Sequence, residues 1–65
     1  MQLLNRYQVA ERTGLSVSSI KRLEARGEFP RRVHISENRV GWLLSEIDDW
    51  IAARVAERDT EGAAA

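Results

Sequence analysis

Hydrophobic spacing changes character along the chain. Between Arg6 and Arg26 apolar residues recur at helical intervals with one interruption: Val9 and Ala10, then Gly14-Leu15-Ser16, then Ile20 and Leu23. From Arg32 to Ile35 polar and apolar residues alternate, the period of a half-buried strand. Further on, Ile47, Trp50, Ile51 and the stem of Arg54 fall at i, i+3, i+4 and i+7, one stripe of a helix. These spacings predict two short helices, a small hairpin and a third helix.

Residues at the breaks sharpen the boundaries. Asn5 with Gln8 three positions on makes a capping-box pattern, so helix 1 should run from about Arg6 to Thr13. Gly14 supplies a left-handed helix end, and Ser16 supplies an oxygen to cap helix 2, which should continue to about Arg26 before Gly27. Leu15 drops between the helices as a plug. Pro30 biases Phe29 to an extended conformation, so the helix cannot resume there. Ser36-Glu37-Asn38-Arg39 reads as a turn and Val40-Gly41-Trp42 as a returning strand, giving a wing-shaped hairpin over Arg31–Leu43. Ser45 is the expected cap of helix 3, with Glu46, Asp48 and Asp49 in its first turn, where the helix dipole favours negative charge. That helix should span roughly Glu46 to Glu57. Leu3 and Leu4 form an extended lead-in over the core, and residues 59–65 a disordered tail. The expected fold is α+β, a small winged helix-turn-helix of three helices and a two-stranded β-hairpin wing, in a single domain of residues 1–58.

Composition narrows the function. With 65 residues, 43 % hydrophobic and 31 % charged, the chain has room for one small core. It has no cysteine, which removes disulfides and thiolate metal sites and fits a cytoplasmic protein. Apolar runs fall far short of the ~20 residues of a membrane span, and Met1–Arg6 lacks the apolar segment of a signal peptide. The net charge of zero argues at first against nucleic acid, yet its distribution is divided. Residues 1–45 carry eight basic and four acidic side chains, net +4; residues 46–65 carry two basic and six acidic, net −4. Such a field can turn a positive face to phosphate and an acidic face elsewhere.

Helix 2 and the hairpin hold the candidate chemistry. Ser18, Ser19, Lys21 and Arg22 are not needed for the core of helix 2 and should face outward. Short hydroxyl residues near a helix N-terminus let the backbone approach DNA and bond phosphate or base edges. Arg22 can reach guanine with two hydrogen bonds, and Lys21 can neutralise a phosphate. Val17 either touches a thymine methyl or packs. Alone, these side chains equally describe a solvated helix face; the preceding Gly14-Leu15-Ser16 turn favours DNA. Arg31, Arg32, His34 and Arg39 put four potential cations on or beside the hairpin, suited to clamping a backbone or minor groove, or else to keeping an edge strand soluble. His34 is the sole histidine and lacks partners for a metal site or for acid–base catalysis. Trp42 and Trp50 have the chemistry of base-stacking platforms, but their spacing assigns them to the core. Asp48 and Asp49 are adjacent on a helix and splay ~100° apart, so they make no paired acid–base site. No phosphate-binding glycine loop is present, and no cofactor or small-molecule substrate is expected.

The segment Arg12-Thr13-Gly14-Leu15-Ser16-Val17-Ser18-Ser19-Ile20-Lys21-Arg22-Leu23 resembles the TGLSxSTIYRL signature of AlpA-like phage and prophage transcriptional regulators. Gly27-Glu28-Phe29-Pro30-Arg31-Arg32-Val33 resembles that family's GxFPxPV turn. Trp42, Ser45-Glu46 and Trp50-Ile51 resemble its W…SEVxxWI ending. The likeness runs from about Leu4 to Arg54 and extends to excisionases and MerR-type winged helices. It implies a DNA-binding regulator, an excision directionality factor, or both, in a bacterial or phage setting and associated with the nucleoid. Excisionases of this kind bend DNA and assist an integrase, so integrase and further copies of the chain are implied partners. Position matching puts Ser18, Ser19, Lys21 and Arg22 on the recognition helix and Arg31, Arg32, His34 and Arg39 on or beside the wing. Two departures stand out. Ser19-Ile20-Lys21 replaces Thr-Ile-Tyr, which adds a cation. Leu43-Leu44 replaces the usual Arg before the serine-glutamate pair and is expected to expose apolar surface suited to a protein contact.

The expected activity is therefore sequence-specific binding of double-stranded DNA without catalysis, helix 2 in the major groove and the wing on the flanking backbone or minor groove. The rival is an adaptor that uses Leu43, Leu44 and the acidic third helix to bind protein. A small hydrolase is a more distant rival, lacking any nucleophile–base pair.

Overall fold

A computed structural model describes the backbone of residues 1–64 and the side chains of residues 1–60. Its elements run β1 (Leu3–Leu4), α1 (Arg6–Thr13), α2 (Val17–Ala25), β2 (Val33–Ser36), β3 (Arg39–Leu43) and α3 (Leu44–Ala64). Both early helices start as their sequence dictates. Asn5 Oδ1 accepts from the Gln8 backbone N–H at 2.9 Å, and Gln8 Oε1 accepts from the Asn5 N–H at 2.8 Å, closing the capping box. Ser16 Oγ accepts from the Ser19 N–H at 3.1 Å at the head of α2. Two helix ends need a left-handed residue. Gly14 has φ +76° and returns its N–H to the Ala10 carbonyl. Gly27 has φ +73° at the end of α2, where Gly27 N–H donates to Glu24 and Glu28 N–H to Leu23, the paired bonds of a Schellman end.

Leu4, Val9, Ile20, Phe29, Trp42 and Ile47 form the core, with Ala10, Leu15, Leu23, Val40, Leu44, Trp50 and Ile51 packed around it. Every element except β2 contributes a buried or half-buried side chain to this cluster. Phe29 meets Trp50 edge-on at 4.9 Å, and the Arg54 guanidinium lies over the Trp50 ring at 5.1 Å, so the stripe predicted for α3 is the face it buries.

Several expectations are corrected. The expected winged helix-turn-helix is present with its β2–β3 hairpin, but the lead-in adds a third strand, so the sheet order is β1-β3-β2, all antiparallel. Leu3 and Leu4 lie opposite Leu43 and Trp42. β2 is not half-buried: all four of its residues are exposed, Val33 at 38 % and Ile35 at 49 %. It is the edge strand, and its packing is spent on pairing with β3, with a register shift between His34 and Ser36. Ser45 is not the cap of α3, because β3 passes directly into the helix at Leu44, whose N–H donates to the Gln2 carbonyl at 2.8 Å. Glu46 alone of the three predicted acids lies in the first turn. Leu43 and Leu44 are half-buried rather than exposed, and Leu44 packs on the core. α3 passes the predicted end at Glu57 and stays helical through Ala64; the remainder of the expected tail, Ala65 and the side chains from 61 on, lies outside the described residues.

Candidate nucleic-acid interface

The face of α2 opposite Ile20 is made by Ser18, Lys21, Arg22 and Ala25, all exposed and contiguous at the ~100° step of a helix. Ser18, Lys21 and Arg22 therefore point where the sequence places them. Val17 is half-buried and lines a concavity with Arg6, Ile20, Lys21, Glu24, Arg32, Val40 and Trp42. Ser19 departs from expectation. It is half-buried, and its Oγ accepts from Ser16 Oγ at 3.0 Å and from the Arg22 guanidinium at 3.2 Å. Its hydroxyl thus joins the helix cap to Arg22 and steers that side chain along α2.

The wing root is fixed to the helices by its backbone. Trp50 Nε1–H donates to the Glu28 carbonyl at 2.9 Å, and Trp42 Nε1–H donates to the Pro30 carbonyl at 3.1 Å. The two indoles thus hold the segment between α2 and β2 at alternate residues, a role the apolar pattern does not reveal. Two residues on, Arg32 N–H donates to Glu24 Oε2 at 2.7 Å and the Arg32 guanidinium donates to Glu24 Oε1 at 2.8 Å. These contacts set α2 and the wing on two sides of an open cleft lined by Lys21, Glu24, Ala25, Gly27, Arg31, Arg32 and His34.

The predicted cations are thus only partly united. Lys21, Arg31, Arg32 and His34 share the cleft, while Arg22 stands on the outer face of α2. Arg39, across the hairpin turn, lines a separate groove with Arg6, Tyr7 and Ile35. Arg6 was not among the predicted residues, yet it lies in the concavity with Val17, Lys21 and Arg32, its guanidinium 5.1 Å from the Tyr7 ring centroid. Glu24 was also not predicted; its spacing one helical turn after Lys21 was the available signal.

Ion pairing sorts the charges further. Of the ten basic side chains, Arg12, Arg32, Arg54 and Arg58 pair with Asp48, Glu24, Glu57 and Asp59. Arg12 and Asp48 join α1 to α3 at 2.7 Å, and that hydrogen bond raises the Arg12 pKa above its ordinary value. The other six cations, Arg6, Lys21, Arg22, Arg26, Arg31 and Arg39, have no carboxylate partner among the described residues, and all precede α3. An exposed cation without an internal partner is available to an external anion. Among the described residues no group of three or more His, Cys, Asp or Glu side chains could hold a metal ion. No helix there is long and apolar enough to cross a membrane.

The chain is 43 % identical over 51 residues to the uncharacterized protein ORF88 of Enterobacteria phage P4, an alignment covering 78 % of this chain. It spans only 58 % of the length of that relative. Residues 2–55 match the family described as prophage CP4-57 regulatory protein (AlpA), a stretch that takes in both helices of the turn, the three-stranded sheet and the packed part of α3. The chain belongs to the AlpA family of prophage regulatory proteins.

Proposed function

We propose that this protein is a regulator that binds double-stranded DNA, with α2 in the major groove and the wing along the flanking backbone or minor groove. The observation that carries this reading is that the exposed α2 face meets the cleft beneath the wing, where Lys21 and Arg31 have no carboxylate partner among the described residues. An α-helix fits the major groove of B-DNA, and Ser18 and Arg22 on its outer face are of a size to meet base edges. Lys21 and Arg31 supply charge to phosphates on either side of the cleft, and His34 and Arg39 extend the contact along the wing. The same surface serves a transcriptional regulator or an excision directionality factor, and in the second role an integrase and further copies of the chain are its partners. It acts in the bacterial cytoplasm, at the nucleoid. An adaptor reading, which rests chiefly on the zero net charge, loses the exposed leucine contact it would use, since Leu43 and Leu44 are half-buried in the fold.

Fluorescence anisotropy with labelled duplex DNA over a range of salt concentrations tests the proposal. Log K should fall linearly with log salt, by ~0.9 for each phosphate neutralised. Lys21→Ala and Arg31→Ala should each reduce that slope by about one. Against a site selected from random DNA, Arg22→Ala should cost about 1–3 kcal/mol at one base position if it reads guanine. A uniform loss over all site variants would make Arg22 a phosphate contact. Failure of the unaltered protein to bind any duplex at micromolar concentration and low salt would reject the DNA reading.

A further inference from the structure

Arg32 and Glu24 stand at the centre of the proposed interface and differ from every other charge there. Glu24 lies in the last turn of α2, its side chain only 12 % exposed, in a surface otherwise rich in cations. Both its oxygens are engaged by one residue, Oε2 by the Arg32 backbone N–H and Oε1 by the Arg32 guanidinium. Arg32 immediately precedes β2. The carboxylate therefore grips the chain at the point where the wing begins, and both bonds are of the short, charge-assisted kind. Lys21, one turn earlier on α2 and in the same cleft, has no carboxylate partner.

We infer that Glu24 is a positioning residue that locks the wing to the recognition helix, and that Arg32 enters the DNA interface as half of a neutral pair rather than as a phosphate-neutralising cation. The inference rests on the DNA-binding reading and divides the cleft into two kinds of charge. Lys21 and Arg31 displace counterions from DNA. Arg32 keeps its charge balanced internally and sets where the others stand. Counterion release follows the net charge brought to the phosphates, so the pair contributes none as long as it stays closed. Releasing Arg32 from Glu24 turns it into one more phosphate contact.

Salt dependence of binding to a random-sequence duplex separates the two roles, because a purely structural loss lowers affinity without changing the slope. Glu24→Gln combined with Arg32→Gln removes both charges of the pair together and leaves its net charge at zero; its slope of log K against log salt should equal that of the unaltered protein. Glu24→Gln frees the guanidinium and should steepen the slope by ~0.9, with tighter binding to random DNA at low salt. Far-UV circular dichroism checks that each variant is folded, and if the double variant is not, Glu24→Gln decides alone. A slope reduced by ~0.9 in the double variant, or an unchanged slope in Glu24→Gln, overturns the inference while leaving DNA binding intact. No binding by the unaltered protein overturns the DNA reading, and the assignment to Glu24 and Arg32 falls with it.

Discussion

α2 and β2 lie on opposite sides of one cleft, yet they are held there by different physics. α2 has two faces: Ile20 is 1 % exposed, Leu23 is half-buried, and the opposite side is free for a ligand. β2 has no buried face at all. It keeps its place through pairing with β3, through the indole bonds to Glu28 and Pro30, and through the Glu24–Arg32 pair at its root. The orientation of α2 is thus a property of the core, and that of the wing a property of a few polar contacts at one end. Core packing is lost all at once on unfolding, whereas edge contacts open locally at lower free energy. If the proposed DNA surface combines the two, it joins a core-anchored element to one held by edge contacts.

This contrast can be broken most severely from the helix side. Ile20→Ala should lower stability by about 2–5 kcal/mol, a large share of the total for so small a domain, with a marked fall in the urea midpoint. Ser16→Ala removes the α2 cap and the hydroxyl that donates to Ser19; urea denaturation should show a loss of about 1 kcal/mol. Ile35→Thr on the wing should change stability by no more than ~0.5 kcal/mol in the same measurement. If Ile35→Thr cost as much as Ser16→Ala, β2 would be packed in solution and the contrast would fail.

The sequence was most legible where one residue type answers one local need. Asn5 and Gln8, Gly14, Ser16 and Gly27 each satisfy or terminate a helix end, and they mark α1 and α2 to within a residue. The stripe of Ile47, Trp50 and Ile51 likewise identified the packed face of α3. What stayed hidden depends on distant partners. Alternation in Val33–Ser36 resembles a half-buried strand, but burial needs a layer to cover it, and the edge position provides none. Ser45 followed by acids looks like a cap, yet β3 enters α3 without a loop. At the site, Ser18, Lys21 and Arg22 were readable from helical geometry alone. The pairing of Arg32 with Glu24, and of Arg12 with Asp48, was not, because a list of cations does not say which carboxylates the fold brings beside them.

The two edges of the sheet also differ in how much chain must be ordered before they can form. β2 meets β3 across the two residues Glu37 and Asn38, whereas β1 meets it across everything from Leu4 to Trp42. Closing a longer loop costs more chain entropy, and a two-residue strand returns little for it. The hairpin can therefore assemble early and alone, on the ~1–10 μs scale of such units, while β1 must wait for the helices between. The first strand should be the last to dock, and hydrogen-exchange labelling during refolding should show protection arriving later at the Leu44 amide, bonded to Gln2, than at the Ile20 amide inside α2.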